Sequence, residues 1–140
     1  MNIPQGYSYQ PSPSSFINHI GQVFQKEVAG AEGEAEHWVA MWIEDHHVNT
    51  WGLCHGGVMA SFAEMGTAAA AWVPGGPPVV GIEMSMQFIK APKLGQLLEV
   101  CGTCTRRTRS IVFTSCRAYA DGELVFTATS VQKVIAAAPG

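Results

Sequence analysis

Residues 73–78 read Val-Pro-Gly-Gly-Pro-Pro, a run that neither a helix nor a strand continues through. It separates two stretches with different hydrophobic periods. Before it, residues 56–72 form the one long segment with helical spacing. After it the period becomes two: Ile82, Met84, Met86 and Phe88 alternate with Glu83, Ser85 and Gln87, which predicts a strand with those four side chains on its buried face.

The remaining segments follow the same logic. Phe16, Ile17, Ile20, Val23 and Phe24 predict a short helix beginning near Ser14. Residues 22–28 and 35–43 predict a hairpin closed at 29–33, and 45–53 a loop. Residues 97–105, 110–120 and 124–135 are rich in Val, Ile, Thr and aromatic side chains; Asp121-Gly122 is a strong two-residue hairpin signal. An early hairpin, one long helix and a meander describe an α+β fold with an antiparallel sheet. With 140 residues, one domain accounts for the whole chain, and 1–13 and 136–140 are expected to be loose ends.

Charged residues make up 14%, against roughly 25% in ordinary soluble domains, so part of the surface should be covered by another copy of the chain. A net charge of −3 leaves no basic excess for phosphates, so no nucleic-acid partner is expected. No uncharged apolar run approaches about 18 residues and no export signal opens the chain, so the expectation is a cytoplasmic protein without a membrane span. Cys54, Cys101, Cys104 and Cys116 read as reduced packing residues, and the Cys101–Cys104 pair lies in a predicted strand without a second pair to complete a metal site.

On the long helix, Val58, Phe62, Met65, Ala69 and Trp72 fall on one stripe, predicted to face the sheet. A neighbouring stripe holds Gly57, Ser61, Glu64, Ala68 and Ala71, small except for the glutamate. Glu64 is the only formally charged residue among the 37 between Asp45 and Glu83, where the chain average predicts about five. A carboxylate set among apolar neighbours is paired, has a raised pKa, or serves chemistry. Bridging to an arginine or simply reaching solvent are the plain alternatives. Gly56 and Gly57, just after His55, bring unblocked N–H groups to a helix start, where the dipole favours a negatively charged oxygen; a tight turn that needs glycine is the plain alternative. Gly56 and Glu64 are about 12 Å apart along the helix axis, too far to act on one carbonyl from the same helix; the expectation is that a two-fold axis sets two such helices side by side in opposite directions, so that Gly56 of one chain faces Glu64 of the other.

Asn49-Thr-Trp-Gly-Leu-Cys-His55-Gly56-Gly57 followed by Glu64 resembles the central signature of hotdog-fold acyl-CoA thioesterases of the phenylacetate-pathway type. The segments 15–21, 86–95 and 121–125 are similar to the family's opening helix, its Phe-Leu-Arg-Pro-Ala-x-x-Gly stretch and its last hairpin. The resemblance implies a helix wrapped by an antiparallel sheet, homodimers that pair into tetramers, and hydrolysis of acyl-CoA with no separate cofactor. It gives Glu64 the acidic catalytic position and the Gly56 N–H the thioester oxygen, with Asn49 and His55 flanking the site. Gly57, Ser61 and Thr67 become candidate substrate contacts. Many members of this branch carry Asp where this chain has Glu64. Related hydroxybenzoyl-CoA thioesterases carry Thr at the position of Ala68, one place beyond Thr67.

Lys90, Arg106 and Arg107 are candidates for the phosphates of coenzyme A, with a solvated hairpin as the alternative. No metal is expected: His46 and His47 diverge if extended, and no ligand pair of the His-Glu-x-x-His kind is present. Cys54 and His55 are sequence neighbours and form no dyad, and His55 is expected to hold its loop. Two rival readings are a noncatalytic acyl-CoA-binding module and a hotdog dehydratase.

Overall fold

In the computed structural model, residues 2–136 are described. The elements run β1 (Ser8–Tyr9), α1 (Ser15–Ile20), β2 (Phe24–Ala29), β3 (Ala35–Trp42), a 3-10 turn (Asp45–His47), α2 (Gly56–Ala71), β4 (Val79–Phe88), β5 (Leu97–Arg107), β6 (Ile111–Ala120) and β7 (Glu123–Val134). All seven strands form one antiparallel sheet in the order β1-β2-β3-β5-β6-β7-β4, and α2 packs against its five longest strands, β3 to β7. This is the expected hotdog architecture.

Local chemistry explains the joints. Ser14 caps α1 by accepting from the Ile17 N–H. Asp121 and Gly122 take φ of 51° and 78°, the pair of positive angles that a two-residue turn between β6 and β7 requires. α2 stops where Trp72 turns extended, two residues before Pro74.

Three expectations are corrected. The stripe Val58, Phe62, Met65, Ala69, Trp72 is not the sheet-facing side: Trp72 is 48% exposed and Val58 and Ala69 are half-buried. The fully covered line is Met59, Phe62, Ala63, Gly66 and Ala70, a roll of about 100°, or one residue. Close approach decides it, because Gly66 on α2 and Gly102 on β5 let the helix backbone settle onto the sheet where bulkier side chains would hold it off. In β4, a bulge between Gly81 and Glu83 throws Ile82 outward at 57% exposure, and Phe88 is 56% exposed, so only Met84 and Met86 of the predicted face are half-buried.

The amino-terminal stretch is not loose. β1 pairs with β2, buried Tyr7 donates to the Glu99 carboxylate at 2.7 Å, and the Trp42 indole N–H donates to the Asn2 carbonyl at 2.8 Å. At the other end, residues 137–140 of the expected tail lie outside the described residues. All four cysteines are free, with Cys54, Cys101 and Cys116 buried and Cys104 exposed. Among the described residues, no helix is long and apolar enough to cross a membrane.

Candidate active site

The loop before α2 is built by its own side chains. The Asn49 Oδ1 accepts the N–H groups of Trp51 (2.9 Å) and Leu53 (3.1 Å), and the Asn49 N–H donates to the Leu53 carbonyl at 2.8 Å. The asparagine oxygen is therefore occupied in shaping the loop, which leaves only its amide N–H groups to face a ligand. His55 is the N-cap of α2: its Nδ1 accepts the Gly57 N–H at 2.9 Å. Gly57 is thus not a free donor. The Gly56 N–H, the first of the helix, has no acceptor among the described residues. A single uncapped N–H remains at the positive end of α2.

Beneath the loop, buried His47 accepts the Glu44 N–H at Nδ1 (2.8 Å) and donates from Nε2 to the Ile20 carbonyl, while its own carbonyl takes the His55 N–H at 2.9 Å. Burial pushes the His47 pKa below its ordinary value. The expected divergence of His46 and His47 is corrected: within the 3-10 turn their rings lie 3.9 Å apart, and the His46 Nε2 reaches the same Ile20 carbonyl at 2.7 Å. Among the described residues, no three His, Cys, Asp or Glu side chains gather at metal-binding range. Burial raises the Cys54 thiol to about 12, far from a nucleophile's range.

Glu64 stands eight residues into α2, on its open flank. Neither a hydrogen bond nor an ion pair engages its carboxylate among the described residues, where the ion pairs are His37–Glu27 and Lys90–Glu123. The residue as a whole is exposed, yet its surroundings strip enough water from the carboxyl to push its pKa up. Two cavities meet it. One, of about 370 Å³, is walled by Ile17, Val39, Met65 and Ala69 together with Tyr9 and Asn18 of the amino-terminal segment. The other, of about 310 Å³, opens against β4 and β7 at Gly81, Met84, Ser130 and Gln132.

Several candidates are occupied elsewhere. Thr67 is fully buried and donates within the helix to the carbonyls of Ala63 (2.9 Å) and Glu64 (3.1 Å), and Ser61 donates to the Gly57 carbonyl at 2.9 Å. Lys90 pairs with Glu123 at 2.8 Å. Arg107 donates to the Ala71 carbonyl at 2.8 Å, closing the far end of α2, so Arg106 and Arg107 lie about 22 Å along the helix from Gly56 of the same chain. Gln132 was missed. The alternation of β7 could have revealed it, since Phe126, Ala128, Ser130 and Gln132 share one buried face.

The family model described as "Thioesterase superfamily" matches residues 52–127, the span from the loop through α2 to the last hairpin. The chain belongs to the thioesterase superfamily. It is 26% identical over 133 residues, covering 94% of this chain and 96% of the relative, to the Pseudomonas aeruginosa protein named "Putative esterase PA0474". It is 28% identical over 76 residues to human acyl-coenzyme A thioesterase 13, a match that spans 54% of each chain. Its fold is shared with a point mutant of the phenylacetic acid degradation protein PaaI from Thermus thermophilus (TM-score 0.75, 20% identity, 87% of this chain and 100% of that one). It is shared also with a Streptococcus mutans protein solved bound to acetyl CoA (TM-score 0.66, 20% identity, 79% and 88%).

Proposed function

We propose that this superfamily member hydrolyses acyl-CoA thioesters to the free acid and coenzyme A in a site shared between two copies of the chain. The observation that carries the reading is the pairing of one uncapped N–H at the head of α2, on Gly56, with an unpaired carboxylate of raised pKa on the same helix at Glu64. A thioester needs those two things: a donor for the oxygen that becomes negative, and a base or nucleophile for the acyl carbon. One helix holds them about 12 Å apart, so an antiparallel partner helix completes each site. Support for a partner comes from β4, an unpaired sheet edge with Ile82 and Phe88 exposed on it and Ile89 exposed just beyond its end. The acetyl CoA complex of the S. mutans protein and the name of the human relative support the substrate class.

In this site the thioester carbonyl oxygen accepts from Gly56. Glu64 takes a proton from water as the new C–O bond forms and returns it to the departing thiolate; alternatively it attacks directly to give a mixed anhydride. His55 holds the helix start, and Asn49 holds the loop while offering its amide N–H groups to the acyl moiety.

The test is thiol release over a panel of acyl-CoA substrates, with Glu64→Ala and Gly56→Pro as controls. Proline removes the N–H, suits the first position of a helix, and follows a His55 already extended at ψ 140°. Turnover abolished in both variants supports the reading. Tight binding without turnover by the native chain points to a sensor instead, and hydration of an enoyl-CoA to a dehydratase.

A further inference from the structure

Gln132 on β7 is 1% exposed, donates from Nε2 to the Ser130 Oγ at 2.7 Å, and has an Oε1 with no hydrogen-bond partner. A buried acceptor left unpaired is costly and calls for an explanation. Its surroundings point to that use. Gln132 pairs in register with Gly81, and a side chain there would begin 3.6 Å from both the amide nitrogen and oxygen, so the bare backbone keeps the amide at the wall of the 310 Å³ cavity. Glu64 lines the same cavity from α2. Thr114, register partner of Ser130 on β6, is also buried with its hydroxyl unpartnered, so β6 and β7 present a strip of three buried polar side chains, Thr114, Ser130 and Gln132, beneath α2.

We propose that Gln132 is the positioning residue for the hydrolytic water, its Oε1 accepting one O–H while the Glu64 carboxylate accepts the other. This rests on the general-base route above. A water that donates both protons to two acceptors turns its lone pairs toward the acyl carbon. The C–O bond forms as Glu64 takes the first proton; the second stays on the new carboxyl group; the C–S bond breaks and Glu64 returns its proton to the thiolate. Glutamine suits the role because it orients without competing for the proton.

The test uses the native chain with Gln132→Met, Gln132→Glu and Ser130→Ala, assayed for kcat, KM and pH dependence on acetyl-, hexanoyl- and benzoyl-CoA. Gln132→Met keeps the volume and removes the acceptor; kcat should fall at least about 10-fold with KM unchanged. Gln132→Glu restores an acceptor but adds a charge beside Glu64 and Glu83, the titratable groups of this cavity, and should move the acidic limb of the kcat profile to higher pH. Should Gln132→Met not fold, Ser130→Ala, which only releases the amide, should still lower kcat with KM held. A kcat within twofold of the native value in Gln132→Met, or in Ser130→Ala where that variant stands in, overturns the proposal, as does an unmoved limb in Gln132→Glu. If the native chain hydrolyses no substrate, the functional reading fails and this one with it; if Glu64→Gln is inactive while Gln132→Met runs at full rate, this one alone fails.

Discussion

Gly66 and Gly102 meet backbone to backbone: a Cβ on Gly102 would lie 2.1 Å from the Gly66 carbonyl oxygen. That contact seats α2 on β5 and fixes the roll that turns Glu64 to the open flank. Gly102→Ala must push the helix off the sheet and should cost about 1–3 kcal/mol, with a matching fall in Tm. Gly66→Ala meets instead the end of the Val100 side chain at 2.6 Å and recovers helix propensity of up to about 1 kcal/mol, so it should be the milder change. Thermal melts of the two variants check the order.

Glu64 should reveal itself in stability as well as turnover. Its folded pKa lies above the ordinary 4.5, so the folded chain holds that proton more tightly than the unfolded chain, and stability falls as pH rises through the window between the two. Glu64→Gln should therefore melt higher than the native chain at pH 7.5, with the gap closing near pH 4. Its hydrolysis should fall at least about 100-fold. Under the proposed hydrolysis, the acidic limb of kcat/KM for the native chain should sit above the usual carboxylate range.

His47 has the opposite sign. Its folded pKa lies below 6.5, so the unfolded chain binds the extra proton and stability is lost as pH falls from about 6.5 toward the lowered value. His47→Gln should flatten the dependence of Tm on pH between about 5 and 7, a range set by the ordinary histidine pKa. An unchanged slope removes His47 as its source.

Mixed oligomers test the shared site. Co-assembled Gly56→Pro and Glu64→Gln chains place both native groups in one of the two sites of a heterodimer. Random pairing at equal amounts should restore about one quarter of native activity from two inactive parents. No recovery in a verified heterodimer means that each chain works alone.

The basic residues should separate. Arg106, which has no partner among the described residues, should on conversion to alanine flatten the rise of KM with salt if it meets coenzyme A phosphates. Arg107→Ala should instead lower Tm, because its guanidinium closes α2 at Ala71.

Legibility in the sequence followed how local each signal was. The Pro/Gly run, the Asp121-Gly122 turn and the Ser14 cap act over a few residues and could be read directly. The roll of α2 could not, because it depends on Gly102, 36 positions away from Gly66, and a helical wheel carries no term for a partner backbone. Ile82 kept its alternation in sequence and lost it to a bulge. In the site, isolation marked Glu64 and the glycine pair marked Gly56; Asn49 and Thr67 came from the family resemblance, and their bonds to Trp51 and Ala63 are local, whereas Lys90 was read by its charge and its partner Glu123, 33 positions away, is visible only in three dimensions. Gln132 lay in plain alternation on β7 but far from any motif.

Tyr9 and Asn18 bring the amino-terminal segment into the wall of the larger cavity that Glu64 also lines. Under the proposed hydrolysis, exchanging residues 1–19 for those of a relative reshapes that wall without altering α2 or the Ile20 carbonyl beneath its loop, so that acyl preference should drift while the reaction stays constant.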